Sequence, residues 1–308
     1  MVNRILIRIK VVQIVYSFLK GDKDMNTAEK ELFFSLEKAY DLYHYLLLLM
    51  VELTDLQKRR LETAKAKHMP SKEELNPNTR FIDNRFIAKL RSNPQLENYI
   101  SQQKLSWVNE SDFVRVLLDQ ILASDTYRDY MDSKEDSYAQ DREFWRFVFK
   151  NIICENELLG EILEDQSLYW NDDLDTIGTF VIKTIKKMDE NSEDAANSLL
   201  PMYKDTEDSE FARILFRRAI LDADKFRKLI ESNSKNWDLD RLAFMDIVIM
   251  IVALAEIVSF PSIPVKVSLN EYIEMAKAYS TPRSGKFING LLDGIVTSLK
   301  KEGEITKD

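Results

Sequence analysis

Apolar residues recur every three or four positions along most of this chain, and short stretches rich in Asn, Asp, Ser and Pro separate the repeats. This spacing puts apolar side chains on one face of an α-helix. Helices are predicted over residues 3–20, 27–67 (one long helix or a helical pair), 82–103, 110–131, 139–165, 173–188, 211–231, 237–258, 266–279 and 282–301. No alternating pattern typical of β-strands is found, so the sequence predicts an all-α fold.

Two helix starts fall close together near the C-terminus. Ser268 and Glu271 have the spacing of a capping box, in which the two side chains bond each other's backbone amides at a helix start. Thr281 and Pro282 offer a cap followed by proline at the first helical position, where the missing N–H costs nothing. The pattern predicts two helices that meet at residues 277–287, which we call the C-terminal corner.

The longest apolar block runs from Ile247 to Ala255 and is bracketed by Asp246 and Glu256. About 20 predominantly apolar residues are needed to span a bilayer, and this block has nine. We therefore expect a helix buried on nearly every side within the protein, and no membrane segment.

Composition supports the same fold class. Of the 308 residues, 45% are hydrophobic, which is enough to fill a sizeable core, and there are only seven glycines and seven prolines. So few turn-forming residues favour helices over a β-sandwich or barrel. Cys154 is the only cysteine, and no secretory leader pattern is found, so we expect a cytoplasmic protein without intrachain disulfides.

The net charge of -9 argues against a generic nucleic-acid binder, but the charges are unevenly distributed. Residues 1–20 contain four cations and no acid, and residues 277–286 contain three cations and no acid. Residues 189–210 contain eight acids and one lysine, which predicts a solvated connector. Because salt screens charges beyond about 8 Å, local basic patches persist in an acidic chain.

Three blocks of the sequence carry recognisable motifs. Near the N-terminus the chain has Arg4, Arg8 and the motif VQIVY. After residues 246–256 it continues with IPVKVSLNEYIEMAKAY and then SGKFINGLLDGI. These blocks, in their order and spacing, resemble the NusB family of transcription antitermination factors, whose patterns include IPxKVxINExxELAK and SxKFVNGxLD. The resemblance covers residues 1–20 and about 207–300.

The resemblance implies a small all-helical core assembled from both ends of the chain. Residues 1–20 supply its first helix, and residues 206–303 supply its main part. Residues 21–205 form an enlarged helical region between them, and residues 304–308 are a tail.

The resemblance also implies that the C-terminal corner binds the boxA element of nascent RNA. Single-stranded RNA is held by cations on its phosphates and by flat side chains stacked on its bases. Tyr279 and Phe287 offer the flat faces, and Lys277 and Lys286 offer the charge. From the residues alone an ordinary alternative remains, in which both rings lie at the ends of apolar stripes and pack in the core.

Further RNA contacts are expected from Arg4 and Arg8, four residues apart on the first helix, although charged side chains on such a face are often only solvated. Many NusB sequences have a denser arginine cluster here. In the corner, Ser280 stands where the family commonly has glycine, and Arg283 stands where it often has an acidic residue. We expect the positive charge of Arg283 to replace part of the missing cluster.

A contact with NusE, the ribosomal small-subunit protein that doubles as an elongation factor, is also implied. The resemblance puts Tyr16, Arg241 and Asp246 on or near it. In the alternative interpretation Tyr16 belongs to the core, while Arg241 and Asp246 cap a helix that begins near Trp237.

No catalytic site, metal or cofactor is expected. His44 and His68 are the only histidines, neither belongs to a Glu-x-x-His pair, and no phosphate-binding loop or Cys-x-x-Cys motif is found. The expected function is assembly, in which this chain and NusE hold boxA-like RNA near the elongating RNA polymerase and favour read-through of ribosomal RNA operons. The alternative is a helical protein-interaction scaffold that has lost RNA binding, as the acidic balance and the thinned arginine cluster suggest.

Overall fold

The computed structural model describes residues 1–190, 199–234, 243–305 and 307, and it contains no strand within those ranges. The helices are α1 Arg4–Lys20, α2 Met25–Lys65, α3 Lys72–Leu75, α4 Arg85–Arg91, α5 Pro94–Gln103, α6 Ser111–Ala123, α7 Asp125–Asp132, α8 Tyr138–Val148, α9 Glu157–Gln166, α10 Leu174–Lys187, α11 Thr206–Leu221, α12 Ala223–Asn233, α13 Phe244–Ser259, α14 Val265–Tyr279 and α15 Ser284–Lys301. The predicted all-α fold is confirmed.

Several predicted helices are divided where a short polar residue ends one helix and caps the next. The side chain of Asn93 accepts hydrogen bonds from the first amides of α5, and Ser124 does the same for Tyr127 of α7. Such bonds satisfy amides that have no partner inside the helix, so they favour a new start over continuation. The apolar spacing predicts one helix across each of these breaks because it resumes within a few residues after the break.

The chain forms two compact units. The first comprises Met1 and Glu37–Met202, and the second comprises Val2–Leu36 and Tyr203–Asp308. The predicted boundaries after residues 20, 205 and 303 stay a prediction.

The first unit has an aromatic centre. The ring of Tyr45 stacks on Trp107 with centroids 3.9 Å apart, and Trp170 lies 5.3 Å from Tyr45 on centroids. The indole nitrogen of Trp107 donates to the Tyr45 carbonyl oxygen at 2.9 Å, which satisfies its polar group. Large flat side chains therefore fill the core that the intervening helices share.

The second unit is built around α13. Residues Val248 to Ile257 are all buried, and α1, α11, α12, α14 and α15 pack against this helix. The prediction of a helix buried on nearly every side is confirmed. Within the residues that the structure describes, no helix combines the length and the hydropathy that a bilayer crossing requires.

The predicted helix starts near the C-terminal corner, at residues 266 and 282, lie within two residues of the observed ones, but the predicted capping box is wrong. α14 begins at Val265, so Ser268 and Glu271 lie inside it and do not form a capping box. α15 begins at Ser284, and the side chain of Ser284 accepts a hydrogen bond from the amide of Thr281 at 3.1 Å. The hydroxyl of Ser268 instead donates to Glu256 of α13, and the hydroxyl of Ser284 donates to Asp246 of the same helix.

Candidate nucleic-acid interface

Arg8 is part of a buried polar cluster that joins α1 to α13. Its side chain is 4% exposed, and its Nε and Nη2 donate to the two carboxylate oxygens of Glu256 at 2.8 and 2.9 Å. Ser268 and Tyr272 of α14 donate to the same carboxylate at 2.7 and 2.9 Å. The prediction that Arg8 lies on an exposed face beside Arg4 is therefore wrong, because the Arg8 guanidinium is buried and bonded to Glu256 within the second unit.

Two groups of this cluster, Arg8 and Tyr272, are shifted toward their protonated forms. Burial opposes the charge on Arg8, but the hydrogen bond and negative charge of Glu256 outweigh it and raise the Arg8 pKa above its ordinary value. Burial, followed by the negative charge of Glu256, raises the pKa of Tyr272 well above its ordinary value. The phenol thus remains a donor to the carboxylate throughout the physiological pH range.

A second buried contact fixes the C-terminal corner to the first turn of α13. Ser284 is 2% exposed and Asp246 is 3% exposed, and the serine hydroxyl donates to the aspartate Oδ2 at 2.9 Å. The hydroxyl of Thr281 lies 2.8 Å from that of Ser284. Asp246 was expected on or near the NusE contact. It is instead buried, and it contacts the C-terminal corner.

Ser284 and Glu256 were missed as structural residues by sequence reasoning. A signal existed for each, since Ser284 lies one turn before Ile288 on the buried stripe of α15 and Glu256 interrupts an apolar run. Polar residues at buried positions need hydrogen-bond partners, but the pattern does not say which ones.

The corner presents its cations to solvent and keeps its rings at the surface. Lys277, Arg283 and Lys286 are exposed, and Tyr279 and Phe287 are half-buried. Neither ring is enclosed in the core, as the ordinary alternative required. The arrangement is one of three exposed cations and two half-buried aromatic rings within eleven residues.

Close packing of α14 on α15 positions Lys277. A Cβ atom added at Gly285 would lie 3.0 Å from Lys277 Cγ, so the lysine stem lies directly against the glycine backbone. The Lys277 ammonium is 2.6 Å from the Glu274 carboxylate, with both side chains more than half exposed. Arg283 and Lys286 make no ion pair within the described part of the chain, so their charge is not neutralised by neighbours there.

Arg4 lies far from the corner. Its guanidinium sits 5.1 Å from the centroid of the Phe211 ring, near the start of α1. Tyr16, three turns later on α1, packs edge-on against Phe244 at the start of α13, with centroids 5.2 Å apart. Because a helix rises 1.5 Å per residue, Arg4 is about 18 Å along α1 from the end that adjoins Phe244 and Asp246. The predicted RNA-contacting residues are therefore not all brought together.

The end of α1 beside the corner carries different residues. Tyr16 is half-buried, and Lys20 is exposed with its ammonium 4.5 Å above the ring of Phe244. Part of the Tyr16 surface is accessible, so a partner contact there stays a prediction. Arg241 lies outside the described residues.

The second unit thus belongs to the class of small helical bundles built around one buried helix, with a cationic and aromatic corner at one end. The NusB family model matches residues 177–297 of this chain. A protein of Salinibacter ruber named "Transcription antitermination protein NusB" is 36% identical over 132 residues, which are 41% of this chain and 82% of that protein. The chain belongs to the NusB family.

Two further relatives with the same printed name share shorter segments. The Chloroherpeton thalassium protein is 44% identical over 78 residues, or 25% of this chain and 37% of that protein. The Natranaerobius thermophilus protein is 43% identical over 77 residues, or 25% of this chain and 55% of that protein. No solved structure matches.

Proposed function

We propose that this chain is a transcription antitermination factor that binds boxA-like single-stranded RNA together with NusE, near the elongating RNA polymerase, and supports read-through of ribosomal RNA operons. Family membership supports this proposal, since each relative compared is named as a transcription antitermination protein. The observation that carries it is the corner, where exposed cations flank two half-buried rings.

The corner has the chemistry that single-stranded RNA requires. Stacking of a base on an aromatic side chain contributes about 1–3 kcal/mol, and each phosphate contact adds a salt-dependent attraction. Tyr279 and Phe287 provide the stacking faces, and Lys277, Arg283 and Lys286 provide the positive charge. The bond between Ser284 and Asp246 holds the corner in place before RNA arrives, so less entropy is lost on binding.

NusE is proposed to bind the neighbouring end of α1. Tyr16 offers part of its ring there, and Arg241 belongs to the segment that precedes α13. Asp246 acts indirectly in this proposal, by fixing the corner through Ser284. An RNA that contacts both proteins of a complex is bound more tightly than by either protein alone. A few contacts from this acidic chain are therefore sufficient for RNA binding by the complex.

The test is RNA binding by the full chain, with and without purified NusE, measured by fluorescence anisotropy on a boxA-like oligonucleotide. We expect saturable binding in the presence of NusE. The double variant Lys286→Glu with Phe287→Ala removes one charge and one ring from the corner, and we expect it to lose at least about tenfold in affinity.

A matched control makes the same chemical changes elsewhere. Lys301→Glu alters an exposed lysine in the last turn of α15, and Phe147→Ala alters an exposed ring of α8. This control should bind RNA as the parent does. Absence of saturable binding by the parent in both conditions would overturn the proposal.

One observation favours the scaffold alternative. Arg8 is internal and Arg4 lies away from the corner, so neither arginine of the first helix adds charge to the proposed RNA site. A scaffold would still bind NusE with unchanged affinity after the corner substitutions, and it would bind no RNA in either condition. NusE binding and RNA binding measured on the same variants separate the two functions.

A further inference from the structure

Two arginines of α11 converge on a single carboxylate of α2 within the second unit. The Nε of Arg213 donates to Glu29 Oε1 at 3.2 Å, and Arg217 Nη2 donates to the same oxygen at 3.1 Å. The Nε of Arg217 also bonds Glu29 Oε2. Arg213 and Arg217 are four residues apart, so they lie on one face of the helix.

The Glu29 carboxylate is largely buried, while the side chains of Arg213 and Arg217 are about half exposed. The side chain of Glu29 is 14% exposed, whereas those of Arg213 and Arg217 are 49% and 46% exposed. The guanidinium carbon of Arg213 also lies 5.1 Å from the centroid of the Phe33 ring. One carboxylate opposite two cations leaves the cluster with a net positive charge.

Glu29 stays ionised and holds the pair. Burial by itself would raise its pKa, but hydrogen bonds and charge from Arg217 and Arg213 outweigh burial, and the pKa of Glu29 lies below its ordinary value. The two guanidinium groups are therefore oriented by the same anion at neutral pH.

Stability alone does not account for this arrangement. Ion pairs made by half-exposed arginines contribute little to folding, and one arginine already neutralises Glu29. The Nη atoms of Arg213 and the Nη1 atom of Arg217 have no hydrogen-bond partner within the described part of the chain. The planar guanidinium groups of the two arginines thus have N–H donors left to bind two oxygens of one phosphate group.

We propose that Arg213 and Arg217, held by Glu29, form a second contact for the phosphates of single-stranded RNA, separate from the C-terminal corner. This inference rests on the proposed function, since it assigns a further segment of the same RNA to this chain. It also supplies on α11 the arginine charge that the first helix lacks.

The test compares an RNA of about six nucleotides with one of about sixteen, both carrying the boxA-like element, in the presence of NusE. Arg217→Gln removes one guanidinium and leaves Arg213 to neutralise Glu29, so the fold is expected to persist, as circular dichroism will check. For the longer RNA we expect about three- to tenfold weaker binding and a slope of log K against log salt that is smaller by about 0.7. Binding of the shorter RNA should not change.

Arg218→Gln is the matched control, because it removes the same charge from the next residue of α11. Arg218 pairs with Asp222 and takes no part in the Glu29 cluster. We expect less than a twofold effect on either RNA.

The outcomes separate this inference from the proposed function. If the parent binds neither RNA, the proposed function fails and the inference falls with it. If the parent binds RNA and Arg217→Gln changes the affinity for neither length, the inference alone is overturned. Equal losses in Arg217→Gln and Arg218→Gln would also overturn it, since they would indicate a general charge effect.

Discussion

The guanidinium of Arg8 and the carboxylate of Glu256, 248 residues apart in the chain, form a two-point ion pair inside the second unit. Ser268 and Tyr272 complete the hydrogen bonding of the carboxylate, so α1, α13 and α14 are joined at one point. A residue that resembles a surface cation in the sequence thereby serves to assemble the unit.

Breaking this pair should be costly. Arg8→Met keeps the volume of the side chain but leaves Glu256 as a buried charge without its cation, and we expect the free energy of unfolding to fall by about 3–5 kcal/mol. Equilibrium urea unfolding followed by circular dichroism measures the change. Arg218→Met, which breaks a half-exposed pair, should cost less than about 1 kcal/mol. Equal losses in the two variants would refute a special role for Arg8.

The contact between Ser284 and Asp246 should also contribute to stability. Ser284→Ala removes a hydrogen bond to a buried carboxylate, and we expect a loss of about 1–3 kcal/mol in urea unfolding. Ser298 lies on the same helix, and its hydroxyl has no hydrogen bond within the described residues, so Ser298→Ala is the control. If the two alanine variants unfold at the same urea concentration, the bond does not stabilise the corner.

Acid should weaken the first unit through His44. The ring is 1% exposed and stacks on Tyr99 with centroids 3.8 Å apart, and burial lowers its pKa from 6.5 to about 4 despite a hydrogen bond with the Tyr40 carbonyl. Between those two values the unfolded chain binds the proton more readily than the folded chain, so stability is present above pH 6.5 and is lost as the pH falls toward 4. The full effect is on the order of 3 kcal/mol.

The variant His44→Phe keeps a ring in the stack and removes the titrating group. Its free energy of unfolding relative to the parent should therefore rise by up to about 3 kcal/mol as the pH falls from about 7 to about 4. A difference between His44→Phe and the parent that stays constant over this range would contradict the prediction.

Cys154 should react slowly with thiol reagents. Burial, and then the charges of Asp175 and Glu155, raise its pKa to about 12, and the thiolate is the reactive form. Labelling with Ellman's reagent at pH 8 should be at least about tenfold slower in the folded chain than in the chain unfolded by urea. Similar rates in the two states would mean that the thiol is accessible and ionises normally.

The sequence by itself determined the fold class, the buried helix α13 and the family, and it left open whether residues 27–67 form one long helix or a helical pair. These follow from apolar spacing and from motifs whose order is preserved, and both are properties of neighbouring residues along the chain. The corner was also foreseeable, since Lys286 and Phe287 belong to one of those motifs.

Only the tertiary structure decided which polar residues are structural. Arg8, Ser268 and Asp246 each had a surface or capping role in the sequence, yet all three are buried in contacts between helices. The physical reason is that a buried polar group must find a partner, and the partner comes from another helix brought close by folding. Local capping and exposure rules do not include that partner, so they misassigned these three residues.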